Sequence, residues 1–246
     1  MDLQNLRTVR SEGFWVAWLT SSGKDRHDLL KAAANESFEE AMPCRRFSFY
    51  KGQRHFPGHY WFETTGQHVG YESLLERDHL TLLDFDLNVA AVAAQPFMLL
   101  WPEGRRLARH IPDFFVRYAD GAVSVVDVKP KAAMSDQDCS VFSVMNEACA
   151  QVGWRHQVWH EPAPRLMRNI QWLAGFRRVF CHDLKIAEVL LAACSSPTPL
   201  GEVVATHSVA EQARPVLYHL MWRQQVTCDL NDRLSDSSLV VASEAA

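Results

Sequence analysis

The chain has 246 residues, 48% of them hydrophobic and 22% charged, the balance of a globular protein rather than a disordered one. No apolar run reaches the roughly 18–20 residues that cross a bilayer, so no membrane partner is expected. The formal charge of −4 does not advertise a nucleic-acid binder, yet it leaves room for local phosphate contacts.

The first residues, Met1 to Leu6, lack a basic region followed by an apolar stretch, and the expected compartment is the cytoplasm. Six scattered cysteines form no Cys-x-x-Cys pair, which predicts reduced thiols and no zinc site. Residues 1–70 read as an N-terminal extension. Within it, Phe14–Leu19 fits either a strand or a short buried helix. Phe47–Trp61 is aromatic and basic, suggesting short strands joined by a Pro57-Gly58 turn. Two basic stretches stand out: Arg45, Arg46, Lys51, Arg54 and His55, then Arg105, Arg106, Arg109 and His110.

From Ser73 the signals sharpen. Ser73 and Glu76 have the spacing of a capping box, and Leu74, Leu75 and Leu82 continue it at helical spacing, predicting a helix over 73–84. Val89–Leu100 reads as a strand broken at Pro96. Arg109–Tyr118 and Ala122–Lys129 read as two strands of a hairpin turning at Asp120-Gly121, with Pro130 ending the second. A helix over 135–153, a strand over 154–160 and a helix over 165–178 complete an α/β domain with a mixed sheet, assigned to residues 71–178. Residues 179–246 predict helices at 184–193, 200–206 and 209–223, then two short strands at 225–230 and 238–241. That order is winged-helix-like, with Val216, Leu217, Leu220 and Met221 as core.

The chemistry concentrates in Pro112-Asp113 and Asp127-Val128-Lys129. Residues two apart on a strand share a face, so Asp127 and Lys129 project together, and the hairpin sets Asp113 on the neighbouring strand. The helix at 73–84 can bring Glu76 to the same end of the sheet, although Glu76 equally fits the acid of the capping box. Three carboxylates suit Mg²⁺, a hard cation that takes oxygen ligands and keeps several waters; Mn²⁺ is the expected substitute. Lys129 then positions the attacking water and offsets developing charge on phosphorus.

This arrangement resembles the PD-(D/E)xK nuclease superfamily, which implies a restriction-endonuclease-like core. Together, Tyr71–Asp78, Leu82–Asp86, Gln95-Pro96, His110–Phe114 and Asp127–Pro130 resemble the TnsA family, endonuclease subunits of heteromeric transposases. The resemblance covers roughly residues 58–178. It implies a DNA endonuclease that hydrolyses phosphodiesters, with catalytic Glu76, Asp113, Asp127 and Lys129 and metal ligands Glu76, Asp113 and Asp127. Some members carry Gln at the position of Asp127. The implied partners are double-stranded DNA at transposon ends, a DDE transposase and an AAA+ ATPase regulator, in transposition and DNA recombination. Three other readings stay open: a stand-alone restriction or repair nuclease, a non-catalytic DNA-binding assembly subunit, and a transcription factor. Glu72, one turn before Glu76, is the alternative helix acid, and Gln95 is expected to turn the chain before Pro96, with orienting backbone near the site as the alternative.

Overall fold

The computed structural model describes residues 13–45, 56–104, 106–178 and 183–243. Most of the expected aromatic-basic segment, with Arg46, Lys51, Arg54 and His55, lies outside them, as do Arg105 and Cys181. The chain is mixed α/β and divides into two compact units. Residues 78–87 and 162–246 form one; the remainder forms the other.

The first unit contains two four-stranded sheets. One, in the order β2-β1-β6-β7, comprises β1 (Trp15–Leu19), β2 (Asp25–Leu29), β6 (Met98–Glu103) and β7 (Arg106–His110). The other, β10-β9-β8-β5, comprises β5 (Val89–Ala94), β8 (Phe114–Tyr118), β9 (Val123–Val128) and β10 (Arg155–Trp159). Phe14–Leu19 therefore resolves as strand, paired antiparallel with β6. The expected single strand over 109–118 is instead two strands in different sheets. Pro112, with no N–H for a ladder, sits between them. Likewise β5 and β6 part at Gln95-Pro96. Gln95 holds a left-handed φ of 49°, and its N–H donates to Asp113 O at 2.8 Å. The hairpin over 114–128 forms as expected, with Gly121 at φ 85° in its turn and Asp120 Oδ1 accepting from Ala122 N.

A separate hairpin joins β3 (Gly58–Phe62) to β4 (Gln67–Tyr71) through residues 63–66, so Pro57-Gly58 opens a strand rather than joining two. The helix α1 (Leu30–Ala33) follows β2 directly. The core of this unit is aromatic. Phe38 is fully buried and its ring meets those of Trp18, Phe97, Phe115 and Trp154 at 5.0–5.7 Å. Against it packs α3 (Asp136–Ala150) through Met145, Ala148 and Cys149. Ser135 caps α3 in a full capping box with Asp138.

The helix α2 (Leu74–Phe85) matches its expected span within a residue and passes from one unit's residues into the other's. In the second unit its Phe85 ring lies 5.2 Å from that of Trp222. There the order is α4 (Pro164–Leu173), α5 (Leu184–Ala193), β11 (Thr198–Pro199), α6 (Leu200–Ala205), α7 (Ala210–Trp222), β12 (Val226–Thr227) and β13 (Leu239–Ala242). The three strands form one small antiparallel sheet, β11-β13-β12. Val216, Leu217, Leu220 and Met221 are buried at the centre of this unit's core, as their spacing predicts. Among the described residues no helix is long and apolar enough to cross a membrane, and the five cysteines are free thiols.

Candidate active site

The hairpin sets the site's register. Phe114 pairs with Val126 and Phe115 with Val125, so Asp113, one step before β8, falls opposite Asp127. The pair opens onto a cleft of about 880 Å³ in the first unit, whose lining also includes Lys129, Asp138, His110, Arg109 and Arg45. Asp113 is partly exposed there. Its Oδ2 accepts from Val128 N at 2.7 Å, and no described residue donates to Oδ1. Burial, followed by repulsion from Glu76 and Asp127, pushes its carboxyl well above the usual range.

Asp127 is buried and held on both sides. His110 Nε2 lies 2.7 Å from Oδ1 and His156 Nε2 2.9 Å from Oδ2. Burial alone raises a carboxyl, but these two imidazole contacts outweigh it and bring Asp127 below its ordinary value. His156 stands on β10, which runs parallel to β9 and pairs His156 with Val125, two residues before Asp127 and on the same face. The Phe142 ring, from α3, lies 5.9 Å from the ring of His110 and 5.8 Å from that of His156.

Lys129 reaches Asp138 at 3.0 Å, on the first turn of α3. The Ser135 hydroxyl, then Lys129, holds the Asp138 carboxyl below its usual range. Glu76 does not line the cleft. It acts as a cap: Oε1 accepts from Ser73 Oγ and Oε2 from Glu72 N, both at 2.7 Å, while Ser73 Oγ accepts from Glu76 N at 3.1 Å. Burial leaves its carboxyl raised despite those bonds, and its charge is felt at Asp113. Glu72 is committed to Arg45 by an ion pair.

The structure thus brings Asp113, Asp127 and Lys129 to one cleft and Glu76 within electrostatic reach of Asp113. Two histidines that grip Asp127 join them. His110 precedes the Pro-Asp motif by two residues and His156 sits in the predicted strand; only their pairing partner was hidden, because strand order is not visible locally.

The residues can be tested against a hard divalent cation. Among the described residues nothing donates to Asp113 Oδ1, each carboxylate oxygen has a second lone pair, and the mutual repulsion of the acids is what a cation relieves. Among the described residues, however, no three His, Cys, Asp or Glu side chains gather about one point as a metal cage. The donor chemistry fits; the cation must share its shell with water and substrate, as Mg²⁺ commonly does. No family model matches this chain, and no curated protein matches it.

Proposed function

We propose that this protein is a Mg²⁺-dependent DNA endonuclease of the TnsA-like kind, cutting the 5′ ends of a transposon beside a DDE transposase. The observation that carries the reading is Asp113 opposite Asp127 on adjacent strands, with Lys129 two residues on, in a cleft bordered by cationic side chains. The mixed sheet β10-β9-β8-β5 with α3 against it suits a restriction-endonuclease-like core, and the order α5-β11-α6-α7-β12-β13 suits a winged helix.

In this reading Asp113 and Asp127 would hold the cation, with Glu76 assisting. Bound there, the metal would polarise the scissile phosphate and lower the pKa of a water. His110 and His156 fix the rotamer and charge of Asp127. Lys129 leaves Asp138 to orient the attacking water and to offset charge on phosphorus. Arg109, which pairs with no carboxylate among the described residues, meets a flanking phosphate.

One observation favours a second reading, a non-catalytic DNA-binding assembly subunit: both oxygens of Asp127 and the ammonium of Lys129 already have protein partners. Cleavage assays on supercoiled and transposon-end DNA, with and without Mg²⁺ and a partner transposase, separate the two. The nuclease reading expects metal-dependent nicking, and activity that survives exhaustive EDTA treatment overturns its mechanism.

A further inference from the structure

The second unit carries a cleft of its own, of about 630 Å³, between α4, α7 and the loop before β13. Three arginines line it. Arg165 and Arg168 stand one turn apart on α4 and Arg233 comes from the loop. All three are exposed, and none has a carboxylate partner among the described residues. The contrast with Arg214 is instructive: where an acid is in reach, this unit forms a bidentate pair, Arg214 with Asp236 at 2.6 and 3.3 Å.

The other polar side chains of the cleft are already occupied. Asn169 Nδ2 donates to Leu230 O and Asp232 O, tying the loop to α4. Gln171 Nε2 donates to Asp78. The guanidiniums are what remains for a ligand, and their fork geometry suits phosphate oxygens. Among them stands Trp172, a residue 57% exposed. One side of it is braced: the rings of Phe176 and Tyr218 lie 5.9 and 6.2 Å away, and Tyr218 is buried. An exposed, braced aromatic among unpaired guanidiniums is the recognition chemistry of single-stranded nucleic acid, in which phosphates take the cations and a base stacks on the ring. A duplex offers the same phosphates but keeps its base faces stacked internally. An acidic helix would need apolar anchors repeating at one-turn spacing, and here there is one aromatic platform with Leu234 beside it.

We propose that this cleft binds a single nucleic-acid strand, with phosphates on Arg165, Arg168 and Arg233 and an unpaired base on Trp172. The inference goes beyond the nuclease reading and stands or falls separately from it.

The test is fluorescence anisotropy of the full chain in EDTA, so that no cleavage intrudes. The probes are a labelled 12-nucleotide single strand, the same sequence as duplex, and a glutamate-rich peptide. The wild type should bind the single strand most tightly. Trp172→Ala should weaken that binding about tenfold, within the range of one lost base stack. Trp172→Phe should restore most of it, and Arg168→Ala with Arg233→Ala should weaken it further and flatten its salt dependence. Lys24→Ala, at an exposed cation of the first unit outside its cleft, should leave it unchanged. Equal binding of strand and duplex, indifference to Trp172→Ala, tighter binding of the peptide, or an equal loss on Lys24→Ala would each overturn the proposal. Melting curves of every variant separate lost binding from lost folding.

Discussion

Asp113 and Asp127 are neighbours with opposite electrostatics. Asp127 is compensated by two imidazoles, whereas for Asp113 the cost of burial beside two other acids exceeds what the Val128 N–H and Arg45 return. A carboxyl whose folded pKa lies above its unfolded value destabilises the fold at pH above the folded value, and that cost disappears as pH falls toward the unfolded value. In EDTA, Asp113→Asn should therefore raise the melting temperature at neutral pH, and the gain should shrink as the pH is lowered toward 4. A gain that grows toward acid would contradict the assigned direction. Asp127 has the reverse sign: its contribution is present above the unfolded pKa and lost as pH falls through the folded one. Replacing the buried His156 by alanine leaves Oδ2 without its partner and should cost roughly 1–3 kcal/mol, measured by denaturant unfolding. His110, which is partly exposed, should cost less because water can replace it.

At the scale of elements, two capped helix N-termini bear on the site. Ser73→Ala removes the acceptor for Glu76 N and should cost about 1 kcal/mol. Glu76→Gln keeps a capping side chain, so a loss of Mn²⁺ affinity and rate in this variant, without a matching loss in Ser73→Ala, assigns Glu76 to the metal. Equal melting shifts with normal cleavage in both make it a cap alone. On α3, Asp138 both caps the helix and holds Lys129. Lys129→Ala should spare metal binding and the fold while lowering the cleavage rate by about 2–4 kcal/mol of barrier, the scale of one lost transition-state stabiliser. Much of this was legible locally. The 73–84 helix and the Asp120-Gly121 hairpin both rest on spacing within a few residues. What rested on distant pairing was not: β7 leaves the sheet of β8 to join β6, and β10 brings His156 to Asp127 from 29 residues away. Phe38, the centre of the aromatic core, gave no sign because its partners come from four separate elements or loops.

For the whole molecule, a formal charge of −4 sets the expectation that DNA affinity is local and weak. Duplex binding by the protein alone should fall steeply with salt, and Arg109→Ala should reduce the slope of log affinity against log salt by about 1, the signature of one lost phosphate contact. An unchanged slope would remove Arg109 from the DNA path. On the proposed reading a partner subunit would select the site, and tight sequence-specific binding by the isolated chain near physiological salt would favour a stand-alone nuclease. The most direct test of the whole account is the nicking of supercoiled plasmid by wild type and Asp113→Asn, side by side, in Mg²⁺ and in EDTA. The account predicts nicking by the wild type in Mg²⁺ alone and none by a folded Asp113→Asn under either condition. Wild-type nicking rates from Asp113→Asn would contradict it.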